Sequence, residues 1–109
     1  MLETNRKQKI LSFLERDPAS SFLLFALAKE YENENDHQSS IETYERLIQN
    51  EPLYTGAYYH LGKQYIFIDN PMKALEVYKA GLEACKKANA MHDASELRSA
   101  FEEISDEEL

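Results

Sequence analysis

Three histidines and one cysteine are the residues of this chain best able to do chemistry. Histidines that hold a metal or act in catalysis recur at fixed short spacings, together with cysteines or carboxylates. His37, His60 and His92 fall on separate segments without metal-ligand spacing, and no cysteine pair accompanies them. The sequence also contains no glycine-rich phosphate loop and no nucleophile elbow. We therefore predict no metal, no cofactor and no enzymatic activity.

The single cysteine, Cys85, is predicted to be a buried structural thiol. It lies in helical register with Leu75, Tyr78 and Leu82 on one apolar stripe. One cysteine cannot form an internal disulfide and fits a reducing compartment. The first residues lack the features of a signal peptide, and no apolar run approaches the roughly 20 residues of a membrane span. We expect a cytoplasmic protein that does not enter a membrane.

The charge of the chain limits the partners it can bind. Twelve basic residues face 20 acidic ones, which gives a formal net charge of −8. Phosphate backbones repel such a chain, so we predict no nucleic-acid partner. The one local basic run, Arg6, Lys7 and Lys9, is interpreted as a solvated helix face. A basic partner, or one with a locally positive segment, suits the overall charge better.

The sequence contains a repeat whose period is typical of short helical repeats. Asp17-Pro18 recurs as Glu51-Pro52, at an offset of 34 residues (52 − 18 = 34). The other pairs matched at the same offset are Leu27 with Leu61, Ala28 with Gly62, Tyr31 with Tyr65, and Tyr44 with Tyr78. Within each copy, the apolar residues recur at helical spacing, so the repeated unit is predicted to be helical.

The spacing inside each copy points to one family of helical repeats. The second copy reads Tyr58-x2-Leu61-Gly62-x2-Tyr65 and then Ala74-x3-Tyr78, and the first reads Leu24-x2-Leu27-Ala28-x2-Tyr31 and then Ser40-x3-Tyr44. This pattern resembles the tetratricopeptide repeat family over about residues 21–86. It departs from the family in three places: Leu24 replaces an aromatic residue, Ala28 replaces glycine, and no proline closes the second copy. The resemblance implies an array of antiparallel helix pairs that binds another protein.

We predict one all-α domain over residues 1–109, a tetratricopeptide-like α-solenoid of about six helices without strands. Its parts are an N-terminal helix at 1–17, repeat 1 at 18–52, repeat 2 at 53–88, a capping helix at 89–104 and an acidic tail at 105–109. The helices are expected at about 4–16, 21–33, 37–49, 55–68, 71–88 and 93–104. Asp36, Asn70 and Asp93 are the predicted N-caps.

Gly62 is predicted to mark a close crossing of two helices. A glycine inside a helix costs about 1 kcal/mol relative to alanine, so it needs a packing reason. Because Ala28 stands at the matching place in the first copy, we expect alanine to be tolerated at Gly62.

The helix predicted at 55–68 carries a second apolar stripe that the repeat contact does not explain. In tetratricopeptide arrays the first helix of each repeat lines a concave groove that binds an extended peptide or a helix. The resemblance implies that eight residues form this predicted groove: Phe22, Phe25, Lys29, Asn33, Tyr59, Lys63, Ile66 and Phe67. Its lysines would favour ligands with acidic side chains or a free carboxylate. The implied function is a protein-interaction adaptor or scaffold.

Two other interpretations of the same face stay open. The terminal helix or a second copy of the chain could cover it, which would make the protein a structural module that forms homodimers or larger homo-oligomers. Lys29, Asn33 and Lys63 are also loosely similar to the set with which some family members clamp a C-terminal carboxylate. Phe25 and Tyr59 on the inner walls, and the lack of a good third repeat, argue against such a clamp.

Overall fold

Residues 2–108 form six α-helices that follow one another along the chain. The computed structural model describes the backbone of residues 2–108 and the side chains of residues 6–106. The helices are α1 (Leu2–Arg16), α2 (Ser21–Asn33), α3 (His37–Asn50), α4 (Gly56–Phe67), α5 (Pro71–Ala88) and α6 (Met91–Glu108). No strand occurs within residues 2–108. The predicted all-α fold class is therefore confirmed.

The two repeats turn between their helices in the same way. Asn35 and Asp69, which occupy equivalent positions of the two repeats, both adopt a left-handed backbone, with φ of 60° and 62°. Asparagine and aspartate enter this region more readily than other non-glycine residues, so they can end a helix without glycine. The next helices then begin at the predicted caps, because Asp36 accepts from the amide of Ser39 (3.2 Å) and Asn70 accepts from that of Lys73 (3.3 Å).

Helix α6 differs from its prediction at both ends. It starts at Met91, so Asp93 lies inside the helix and is not its N-cap. Asp93 instead accepts a hydrogen bond from the Thr55 hydroxyl at 2.6 Å, which ties α6 to the segment before α4. The predicted acidic tail is helical as far as Glu108, because no glycine or proline interrupts the chain there. Leu109, and the side chains from residue 107 onward, lie outside the described residues.

The helices pack as successive antiparallel neighbours around one elongated core. Helices α2 and α3 form one pair and α4 and α5 form the next, while α4 also packs on α3, and α6 packs on both α5 and α4. Helix α1 packs on α2 through Ile10 and Leu14, which are both buried. Arg6 and Lys7 form ion pairs with Glu30 (3.1 Å) and Glu34 (3.0 Å) on α2. Two residues of the basic run therefore contact α2 and help to hold α1 on it.

Helices α4 and α5 approach closely at the predicted crossing. A Cβ atom built on Gly62 would overlap Cε1 of the Tyr78 ring and lie 2.6 Å from its Cζ. Gly81 makes a second tight crossing, where a Cβ would lie 2.6 Å from Cβ of Tyr58 and 2.9 Å from Cδ1 of Leu97. Sequence reasoning did not single out Gly81, although it also lies inside a helix. Glycine is required at both places because another helix occupies the space of a side chain.

This geometry contradicts the expectation that alanine is tolerated at Gly62. The Tyr78 side chain is fully buried and cannot swing away from an added methyl group. We predict that Gly62→Ala lowers the free energy of unfolding by about 1–3 kcal/mol, the usual cost of overpacking a core. Gly56→Ala is the matched control, because a Cβ at Gly56 meets nothing within 4 Å. Urea unfolding should show a loss for Gly62→Ala only, and equal stability of the two variants would contradict the crossing.

Candidate functional site

The eight residues of the predicted groove occupy several separate places. Tyr59, Lys63 and Ile66 lie together between α4 and α6. Phe22 lies at the other end of the array, in a groove between α1 and α2, and 75% of its surface is exposed. Phe25 and Lys29 belong to a cluster in the middle, which is described below, and Asn33 is exposed at the end of α2.

Phe67 projects from the end of α4 onto the start of α3. Its ring stacks on that of His37, with centroids 4.9 Å apart and an interplanar angle of 16°. His37 Nδ1 lies 2.7 Å from Oε1 of the buried Gln64, which holds the imidazole in place. Phe67 nevertheless exposes 62% of its surface. It is therefore an accessible aromatic side chain that is fixed from one side.

The groove between α4 and α6, called the α4–α6 groove below, carries three of the predicted residues. It encloses about 310 Å³. Its lining consists of Tyr59, Lys63, Ile66, Tyr78, Ser95, Glu96, Ser99, Ala100, Glu103 and Ile104. Helix α6 thus supplies one wall and leaves the α4 residues half-buried without covering them completely. The sequence leaves open that the terminal helix covers this face, but it indicates no residue of α6 in the groove.

The Tyr78 hydroxyl is the unusual polar group of the α4–α6 groove. Among the described side chains it is the buried polar atom that has no hydrogen-bond partner. Burial raises the pKa of Tyr78 above its usual range, so the hydroxyl stays protonated and can donate. A buried donor without a partner costs free energy, so this hydroxyl makes the packing beneath the groove less favourable.

A central cluster of Phe25, Glu32, Tyr44 and His60 joins α2, α3 and α4. Oε2 of Glu32 accepts a hydrogen bond from the Tyr44 hydroxyl, and His60 Nδ1 lies 3.4 Å from the same carboxylate oxygen. The Phe25 ring packs edge-on against both Tyr44 (5.9 Å) and His60 (5.4 Å). Burial raises the pKa of Glu32, but the bonds to His60 and Tyr44 outweigh it and hold that pKa below its ordinary value. Glu32 is therefore a charged structural acceptor.

This cluster changes the charge expected of the predicted groove. Lys29 Nζ lies 3.7 Å from Glu32 Oε1, so one of the two predicted lysines already faces a carboxylate. Lys63 shares the α4–α6 groove with Glu96 and Glu103. The lining residues of that groove carry more carboxylates than lysines, which removes the basis for a preference for acidic ligands.

The other reactive side chains do not form a second site. Cys85 is buried, with 2% exposure, and burial raises the pKa of its thiol. Within the described residues, His, Cys, Asp and Glu form no group of three that could hold a metal ion. Among the helices described, none is long and apolar enough to cross a membrane.

The matched tyrosines of the two repeats allow a direct test of these hydrogen bonds. Tyr44 donates to Glu32, whereas Tyr78 has no partner among the described side chains. We predict that Tyr44→Phe lowers the free energy of unfolding by about 1.5–3 kcal/mol, because it removes a bond to a charged acceptor. Tyr78→Phe should be neutral or stabilising, because it removes a buried hydroxyl that is unpaired. Chemical unfolding of both variants measures the difference, and a loss of similar size in both would refute the assignment.

Solved structures of tetratricopeptide repeat domains resemble this chain in both sequence and fold. The crystal structure of a tetratricopeptide repeat domain protein from Salinibacter ruber is 31% identical, with a TM-score of 0.74 over 79% of this chain and 96% of that chain. A solution structure of such a domain from the same organism is 32% identical, with a TM-score of 0.75 over 80% and 88%.

More distant structures share the fold. The TPR2B domain of yeast Sti1, in its complex with pHsp70, is 17% identical and matches with a TM-score of 0.86 over 96% of this chain and 84% of that one. No family model matches the chain, and no curated protein matches it significantly. The identity and coverage of the Salinibacter domains, together with the repeat in the sequence, carry the assignment. The chain belongs to the tetratricopeptide repeat family.

Proposed function

We propose that this protein is an interaction adaptor or scaffold that binds a peptide or a helix of another protein in the α4–α6 groove. It acts by binding and carries out no chemistry of its own. The observation that carries the proposal is the groove itself, about 310 Å³ in volume, in which apolar side chains of α4 and α6 lie beside the carboxylates of Glu96 and Glu103.

The lining of the groove favours one kind of ligand. Tyr59, Ile66 and Ile104 give apolar walls, which would supply most of the affinity. Glu96 and Glu103 are exposed carboxylates at the α6 wall, and the whole chain carries a net charge of −8. We therefore propose a ligand with an apolar anchor next to lysine or arginine, which the negative field would also attract from solution.

The related structures agree with a role in protein binding. The Sti1 domain that shares this fold was solved in a complex with pHsp70, so a fold of this kind can hold another protein. Its low identity transfers no ligand to this chain. The alternative, a homo-oligomer that uses the same face for self-contact, predicts that blocking the α4–α6 groove dissociates an oligomer.

The experiment selects ligands from a displayed library of random peptides and measures their affinity by fluorescence anisotropy. We expect wild-type protein to enrich peptides with an apolar residue beside lysine or arginine. Ser99→Trp should abolish binding, because Ser99 is exposed and lines the groove, so a large side chain fills it without entering the core. Ser12→Trp, at an exposed serine of α1, is the matched control and should bind normally.

Tyr59→Ala gives the finer test on the selected peptides. Loss of this half-buried aromatic wall should weaken their binding about fivefold or more. Equal affinity of wild type, Ser99→Trp and Tyr59→Ala would refute the proposed site. Light scattering at several concentrations tests the alternative, which requires an oligomer that Ser99→Trp converts to monomers.

A further inference from the structure

Helix α1 corresponds to the second helix of a repeat. Helix α3 covers His37–Asn50, and shifting these bounds back by one repeat gives residues 3–16, which coincide with α1. Pro18, which follows α1, matches Pro52, which follows α3, at the same offset. Helix α1 is therefore half of a repeat, and the first helix that would pair with it has no counterpart among residues 2–108.

The two complete repeats show which face of α1 such a helix would cover. In α3, the Ser40 hydroxyl donates to the backbone oxygen of Ala28 on α2, the first helix of the same repeat. In α5, Gly81, which matches Leu47, packs against Tyr58 on α4, the first helix of its own repeat. This face of α3 and α5 is therefore buried by the partner helix of the repeat.

On α1 the equivalent face is open. Phe13 corresponds to Leu47 and exposes 52% of its surface, whereas Leu47 exposes none. Lys9 corresponds to Thr43 and is exposed, whereas Thr43 is 8% exposed. The exposure of Phe13 thus marks the place that a helix fills in the complete repeats.

A groove lies at this place, between α1 and α2. It encloses about 450 Å³, and Arg6, Lys9, Ile10, Phe13, Phe22, Leu23 and Ala26 line it. Its walls are mainly apolar, and its two charged lining residues are Arg6 and Lys9. Arg6 already pairs with Glu30 on α2, so Lys9 supplies the positive charge that a ligand would meet. This local charge is opposite to that of a chain with 20 acidic and 12 basic residues.

We propose that this α1–α2 groove is a second docking site, which takes an acidic amphipathic helix from a partner protein. The apolar face of that helix covers Phe13 and Phe22, and a carboxylate at its edge meets Lys9. The partner helix packs against α1 as α2 packs against α3 and as α4 packs against α5. The site is separate from the α4–α6 groove, and so the inference does not rest on the function proposed above.

The charges and the polar faces disfavour a second copy of this chain as the occupant. A symmetric pair would bring Lys9 of one copy close to Lys9 of the other, which is unfavourable. A head-to-tail contact would offer the outer face of α6, where Ser95, Ser99 and Glu102 are exposed and no apolar stripe is available. Neither arrangement fills an apolar groove.

The test uses a defined helical probe. A fluorescein-labelled peptide with the sequence of α6, residues 91–108, is acidic and amphipathic, with an apolar stripe of Ala94, Leu97, Phe101 and Ile104. A peptide of the same composition in scrambled order is its control. We expect the α6 peptide, but not the scrambled one, to raise its anisotropy with full-length protein and to bind less tightly as salt increases.

Variants test whether the probe binds in the α1–α2 groove. Phe13→Ser should weaken binding about tenfold, whereas Leu53→Ser, at a leucine that is 48% exposed against 52% for Phe13, should not. Lys9→Glu should weaken binding and remove most of its salt dependence, whereas Lys79→Glu, at an exposed lysine of α5, should not. Ser99→Trp should bind the probe normally, which separates this site from the α4–α6 groove.

Three results would overturn the proposal. The first is no binding of the probe, or equal binding of the scrambled peptide. The second is unchanged affinity in Phe13→Ser, which would place the probe elsewhere, for example on the seat of α6 itself. The third is a wild-type dimer in light scattering that Phe13→Ser dissociates, which would make a second copy the occupant.

Discussion

The crossing of α4 and α5 is the contact on which the arrangement of the second repeat depends. The Tyr78 ring lies where a side chain on Gly62 would be, so the two helices approach more closely than any other residue at position 62 permits. This approach buries Tyr78 completely and places its hydroxyl under the α4–α6 groove. Gly81 makes the same kind of close contact with Tyr58 and Leu97. This contact places α6 as the other wall of the groove. The same packing that stabilises the fold thus shapes the candidate site.

The two repeats share a sequence pattern, but the hydroxyls of their matched tyrosines differ in hydrogen bonding. In repeat 1 the Tyr44 hydroxyl donates to Glu32. The Glu32 carboxylate also contacts His60 and Lys29 in the middle of the array. In repeat 2 no such carboxylate serves Tyr78, because Ile66 stands at the position that matches Glu32. Repeat 1 therefore satisfies its tyrosine hydroxyl internally, whereas repeat 2 leaves the equivalent hydroxyl without a partner among the described side chains. A single difference between equivalent positions accounts for this contrast.

Much of the fold could be predicted from the sequence, because the constant repeat offset and the caps at Asp36 and Asn70 are local signals. The errors have a different origin. Asp93 looked like a cap, but its carboxylate accepts from Thr55, which is 38 residues away. Alanine at Gly62 looked harmless beside Ala28, since the sequence does not tell where the Tyr78 ring lies. The predicted groove drew on side chains of α2 and α4 alone, whereas the α6 wall and the pairing of Lys29 with Glu32 depend on tertiary contacts.

A double-mutant cycle between Gly62 and Tyr78 tests the central contact most directly. Urea unfolding would be measured for wild type, Gly62→Ala, Tyr78→Leu and the double variant. If the Tyr78 ring is what excludes a side chain at Gly62, the cost of Gly62→Ala should largely disappear in the Tyr78→Leu background, with a coupling free energy of about 1 kcal/mol or more. The same cost in both backgrounds, within about 0.5 kcal/mol, would show that the ring does not set the crossing and would contradict the account.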